Sequence, residues 1–206
     1  YAFGTHLAGR SPVMADLAAQ GLAGGGEGID HGFAPDVMLK DGDCVDGHDW
    51  SLTALHTPGH IGNHLSYIWN DAVFTGDHVM GWASSLVSPP DGDLTDFMQS
   101  CEKLQNIRAR VFYAGHGAPI HDPQRRLAWL IAHRNAREAQ ILAALMQGEA
   151  DAATLTRTIY TDIPPLLMKA AERNVFAHLV DLSEKRRVTA LSHLSPQATF
   201  RLLTEK

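Results

Sequence analysis

Three histidines, His56, His60 and His64, flank one Pro-Gly pair in the stretch HTPGHIGNHL. A spacing of four would stack them on one helix face, but Pro58 and Gly59 argue against a helix there. Two further histidines stand in similar settings: His78 after Gly76-Asp77 in TGDH, 75–78, and His116 between two glycines in AGHG, 114–117. Imidazole and carboxylate together suit zinc, iron or manganese. One carboxylate can bridge two ions about 3.5–4 Å apart, and such a pair can activate a water and polarise a substrate. Twelve histidines in 206 residues make metal chemistry worth testing first.

The elements around these residues read as follows. SLTALH, 51–56, is a short strand that ends at the three-histidine loop. HLSYIW, 64–69, and AVFTG, 72–76, alternate in strand fashion about Asn70-Asp71, which predicts a hairpin. RVFYAG, 110–115, is a further buried strand that ends at Gly115-His116-Gly117. His60, Asp77 and His116 therefore each sit just past a strand and beside a glycine. Loops anchored on strand ends are rigid enough to present ligands.

The remaining pattern is largely helical. VMADLAAQ, 13–20, predicts a short helix, and GLAGGGEGIDHG, 21–32, a flexible loop. That loop lacks the GK[ST] ending of a phosphate-binding P-loop. DGDCVDG, 41–47, reads as turn chemistry. It fails the EF-hand pattern, because Leu52 stands at the twelfth loop position. Phe97, Cys101, Leu104 and Ile107 form one face of a helix within 93–107. Residues 123–148 predict a long helix with Pro123 in its first turn and Leu127, Leu130, Ile131, Ile141, Leu142 and Leu145 as its apolar stripe. His133, Arg134 and Arg137 are expected on its solvated face.

The last stretch is a helix capped by Asp151, then a helix opened by Pro164 with Leu167, Ala171, Val175, Leu179 and Leu182 on one face. The strands RRVTAL and ATFRLL follow, about the turn SHLSPQ. A helical pair followed by a hairpin is the pattern of a winged helix, which can read nucleic acid or pack against a partner.

Composition narrows the function classes. Cys44 and Cys101 alone make no disulfide framework and no CxxC zinc site. A reducing cytoplasm is the expected location, and no apolar run approaches the ~20 residues that span a bilayer. Residues 1–123 hold 5 Lys/Arg against 15 Asp/Glu, whereas residues 124–206 hold 12 against 8. That asymmetry suggests two modules, the second facing an anion or merely soluble.

The ordered set TPGH, TGDH and AGHG resembles the third, fourth and fifth metal motifs of the metallo-β-lactamase superfamily. YAGHGAPI, AHRNAREAQIL and IYTDIPP further resemble the lactamase-like branch with a C-terminal winged helix, which includes endoribonucleases. The resemblance implies an α/β fold, the C-terminal portion of an αββα sandwich followed by a winged helix. It suggests a metallo-β-lactamase-like domain at 1–122, a linking helix at 123–148 and a winged-helix domain at 149–206. It implies two divalent metal ions, zinc first and iron or manganese as alternatives. His60 would bind the first ion, Asp77 would bridge, and His116 would bind the second. His56 and His78 are expected to support these ligands by hydrogen bonds, and His64 to be structural. No catalytic residue is assigned.

The family's HxHxDH motif is not in this sequence, and YAFGTHLAG at 1–9 resembles the segment that follows it. The resemblance thus implies an N-terminal portion of roughly 80–90 residues beyond this chain. The expected activity is hydrolysis of an ester, thioester or phosphodiester by metal-activated water, with a small molecule or RNA as substrate and inactivity of this portion alone. A homodimer is expected, and no membrane partner. The alternative is a winged-helix protein that binds nucleic acid or a partner without catalysis. Loss of half a sandwich would also leave one face of a sheet exposed.

Overall fold

The short segments of alternating apolar and polar residues within 44–114 form the five strands of one sheet. The computed structural model describes residues 3–4, 11–23 and 32–203. Within it β1 (Phe3–Gly4) and β2 (Val37–Met38) pair in parallel, with α1 (Pro12–Ala19) between them. The main sheet runs in the order β3 (Cys44–Asp46), β4 (Ser51–His56), β5 (Leu65–Trp69), β6 (Ala72–Gly76), β7 (Val111–Ala114). Pairing is antiparallel from β3 to β6 and parallel between β6 and β7. A parallel pair needs a crossover, and the segment containing α2 (Leu94–Gln105) supplies it. The predicted hairpin is present: Trp69 pairs with Ala72, and Asn70 takes the left-handed φ of 52° that asparagine tolerates.

The alternation decides which face is covered. Ser66, Val73, Thr75 and Phe112 point inward and are buried. Leu55, Val73 and Phe112 pack with Phe97, Cys101 and Leu104 of α2 and with Leu127 and Leu130 of α3 (Pro123–Leu145). On the opposite face Trp69, Phe74 and Tyr113 are each about 40% exposed and stack in sequence, with ring centroids 6.4 and 5.5 Å apart. The sheet face opposite this core therefore carries an aromatic row.

A second core joins the far half of α3 to the C-terminal elements α4 (Ala152–Ile159), α5 (Met168–Glu184), β8 (Val188–Ala190) and β9 (Phe200–Leu202). Ile141 and Leu145 meet Leu155, Val175, Leu179, Leu182 and Phe200 there, and Met14 and Leu17 of α1 join them. Asp151 caps α4, its side chain accepting from the Thr154 amide at 2.7 Å. β8 and β9 pair antiparallel as the wing.

Several expectations are corrected. DGDCVDG is not all turn: Cys44–Asp46 form an edge strand, and charge suits an edge. RVFYAG is not buried throughout, because Tyr113 faces out. Leu167 is 51% exposed, since a 3-10 turn over Pro165–Leu167 precedes α5 and shifts the phase of the apolar stripe. Arg134 is not solvated but 2% exposed. The expected loop at 21–32 falls mostly outside the described residues. Both cysteines are free thiols, and among the described residues no helix is long and apolar enough to cross a membrane.

Two expected outcomes follow from this packing. Gly59 has φ +132°, and a methyl group there would run into the Phe97 backbone. Gly59→Ala should therefore cost at least about 2 kcal/mol in urea unfolding. His178 is buried on α5, with neither ring nitrogen bonded among the described residues. Burial, aided by Arg134 and His133, holds its pKa well below the usual imidazole value. The unfolded chain takes up that proton near pH 6.5 while the folded chain resists it, so stability present above pH 6.5 is lost as pH falls. His178→Leu should lessen the drop in melting temperature between pH 7 and pH 5.

Candidate metal centre

Strand direction brings the candidate residues to one edge of the sheet. β4 and β6 both run antiparallel to β5, and β7 runs parallel to β6. The C-terminal ends of β4, β6 and β7 therefore share one edge. His60, Asp77 and His116 follow those three ends.

Asp77 and His116 meet directly. Gly76 and Ala114 are in register, and the Gly115 amide donates to the Gly76 carbonyl at 2.8 Å. This close backbone approach sets His116 Nε2 3.5 Å from Asp77 Oδ2. Asp77 Oδ1 is buried and has no hydrogen-bond partner among the described residues. A Cβ at position 115 would sit 2.6 Å from that oxygen, so only glycine leaves it room. An uncompensated buried carboxylate oxygen is costly, and a cation is the partner that such an atom lacks. His116 is 70% exposed, at the mouth of this edge.

His60 has a support of its own. Its Nδ1 lies 2.7 Å from the Leu86 carbonyl. A carbonyl only accepts, so Nδ1 carries the proton and Nε2 keeps the lone pair that binds metals. Among the described residues no three His, Cys, Asp or Glu side chains are gathered closely enough to hold a metal ion. The donor chemistry of Asp77, His116 and His60 fits a divalent metal, but a zinc centre needs at least three protein ligands around one ion. His6 and the Asp30-His31 pair lie outside the described residues.

The other histidines hold the loops. His56 Nε2 donates to the Gly62 carbonyl at 3.1 Å, which ties its ring to the loop that carries His60. His64 is buried, with Nδ1 2.9 Å from Thr57 Oγ1, which in turn lies 2.8 Å from Ser66 Oγ. Burial first, then His60 and His56, hold its pKa at about 4, so it stays neutral near pH 7. Gly76, with φ +49°, leaves space for this ring: a Cβ there would lie 2.6 Å from His64 Nε2. His78 is fully buried, its ring 4.5 Å from that of Phe97 and its Nε2 3.7 Å from Cys101 Sγ. Burial holds the His78 imidazole neutral and pushes the Cys101 thiol up to about 12.

Comparison with known proteins adds the family. The model of the metallo-beta-lactamase superfamily matches residues 4–116, more than half of the chain. The chain belongs to the metallo-beta-lactamase superfamily. The beta-lactamase associated winged helix domain matches residues 152–193. A beta-lactamase-like protein 2 homolog of Drosophila melanogaster is 31% identical over 142 residues, 67% of this chain and 47% of that protein. An atrochrysone carboxyl ACP thioesterase of Aspergillus fumigatus is 35% identical over 109 residues, 52% of this chain and 33% of that protein. These matches span less than half the length of either relative. A metallo-beta-lactamase family protein of Thermus thermophilus superposes with a TM-score of 0.71 at 28% identity, over 83% of this chain and 55% of that one. A beta-lactamase domain protein of Burkholderia ambifaria shares the fold, with a TM-score of 0.73 at 20% identity over 81% of this chain and 52% of that one. Members of this superfamily commonly bind divalent metals.

Spacing alone did not reveal two features of the site. The Thr57–His64–Ser66 cluster has no signature beyond small polar residues near a strand end. Trp82, 70% exposed, donates from Nε1 to the His116 carbonyl at 3.3 Å and packs over Gly117, and nothing in MGWASS announces it.

Gly115→Ala tests the Asp77 assignment. The added methyl should displace the carboxylate and weaken zinc binding by the natural protein at least about tenfold in a chelator competition. Unchanged affinity would count against Asp77 as a ligand.

Proposed function

We propose that the natural protein is a metal-dependent hydrolase of the metallo-beta-lactamase superfamily that cleaves a thioester or ester of a small organic acid. The observation that carries this reading is the Asp77 carboxylate, buried on one oxygen without a partner among the described residues and set against His116 on the other. Membership of the superfamily supports it, and the thioesterase relative directs it toward thioesters.

Asp77 and His116 would hold an ion at the strand ends, and His60 would offer Nε2 to the same region. A bound divalent ion supplies Lewis acidity and lowers the pKa of water beside it. Gly115 keeps the Asp77 oxygen free of crowding, and the Thr57–His64–Ser66 hydrogen bonds keep the His60 loop on its strand. The exposed Trp82 indole beside His116 offers an apolar wall for an acyl chain. Zinc is the first ion to load, with iron and manganese as alternatives, because His and Asp ligands do not separate the three.

RNA is the competing substrate class, and a winged-helix binding protein the competing reading. The course of α5 weighs against groove reading by that helix. Ten of its 17 residues are buried, including Asn174, His178 and Asp181. Asp181 accepts from Thr95 Oγ1 at 2.5 Å, which ties the helix to α2.

The test is turnover by the natural protein loaded with zinc, on an acyl-coenzyme A thioester and on a single-stranded RNA oligonucleotide. Thioester cleavage is expected, with kcat/KM falling at least about 100-fold in Asp77→Asn and in His116→Ala, as loss of several kcal/mol of metal stabilisation requires. RNA cleavage alone would replace the substrate class. Equal turnover by the variants would overturn the metal reading.

A further inference from the structure

The loop Trp82–Ser88 connects β6 to α2 and touches both histidines of the candidate centre. At one end Trp82 bonds the His116 carbonyl. At the other the Leu86 carbonyl accepts the His60 Nδ1 proton at 2.7 Å. Between them the backbone is gripped by side chains from two helices far along the chain. Arg126 Nη2 donates to the Ala83 carbonyl at 2.5 Å. Arg134 Nη2, two helical turns on, donates to the Ser84 and Ser85 carbonyls, both at 2.8 Å. Arg134 Nη1 donates to Asn174 Oδ1 at 2.9 Å, and the Val87 amide donates to the same oxygen at 3.1 Å.

Arg134 is a buried charge bonded to no carboxylate among the described residues. Its guanidinium lies 5.1 Å over the Phe97 ring, and its bonded partners among the described residues are three neutral oxygens. Removing a cation from water costs several kcal/mol even after relaxation. An arrangement that costs this much and bonds loop carbonyls fixes the loop rather than neutralising a neighbour. The rigid planar fork of arginine sets the direction of successive carbonyls in a way that lysine cannot.

We propose that Arg134 and Asn174 are positioning residues for His60. They fix the Ser84–Val87 backbone, the Leu86 carbonyl within it then selects the Nδ1-protonated form of His60, and Nε2 is left with the lone pair that can bind a metal. Asn174 belongs to α5, inside the segment matched by the winged helix domain, so that domain is a structural part of the centre. The proposal rests on the reading of His60 as a donor, but its test needs no metal.

The readout is the His60 tautomer in the natural protein, from long-range proton–nitrogen correlation with labelled histidine. Wild type is expected to show His60 protonated at Nδ1. Asn174→Leu, which removes the oxygen shared by Val87 and Arg134, should lower the Nδ1-to-Nε2 tautomer ratio roughly three- to tenfold. Asn174→Asp, which keeps an acceptor there, should restore the ratio. Arg137→Met on the same helix as Arg134 should leave it unchanged, because Arg137 bonds Gln140 and lies over Tyr160. If Asn174→Leu does not fold, Arg134→Lys, which keeps the charge but cannot bridge the Ser84 and Ser85 carbonyls and Asn174 together, should move the ratio the same way. A wild-type ratio in the folded variant, or an equal change in Arg137→Met, overturns the proposal. Neither result bears on the hydrolase reading, which stands or falls on turnover.

Discussion

The guanidinium of Arg134 sits where the two cores of the molecule meet, and its need for partners constrains everything around it. It projects from α3, bonds the loop between β6 and α2, reaches Asn174 of α5, and covers the ring of Phe97. Burial lowers its pKa only to about 10, so it is charged at neutral pH. A buried charge that loses one partner is strongly destabilising, which makes the loop, α3 and α5 a single mechanical unit. The sheet then contributes direction. Because β4, β6 and β7 end at one edge, a loop fixed over that edge can address His60 and His116 together.

Much of this was legible in the sequence, for identifiable reasons. TPGH, TGDH and AGHG each combine a strand end, a glycine and a ligand-type side chain. The glycines have concrete work: Gly59 clears the Phe97 backbone, and Gly115 clears the Asp77 carboxylate. The hairpin at Asn70-Asp71 was legible because asparagine tolerates the left-handed turn. Asp151 was legible as a cap because its side chain can bond an amide three residues on.

The parts that were not legible depend on partners without a side-chain signature. Arg134 stands among charged neighbours in AHRNARE and reads as solvated. Its acceptors are backbone carbonyls and an amide 40 residues away, and neither leaves a periodic trace. Leu167 fits the apolar stripe of α5 by counting, yet a 3-10 turn intervenes and rotates it outward. Cys44–Asp46 carry turn-forming residues, but pairing with β4 overrides that local preference. The candidate centre was legible as a set of residue types and only partly as a place: Asp77 and His116 meet, while His60 is presented from a separate support.

The direct test of the whole account is the position of the metal. Crystals of the natural protein grown with zinc, measured across the zinc absorption edge, would locate the ion by its anomalous signal. The account predicts a peak within about 2.3 Å of an Asp77 carboxylate oxygen, with His116 Nε2 as a fellow ligand and His60 Nε2 turned toward the same centre. A zinc peak elsewhere, with Asp77 and His116 unligated, would contradict it.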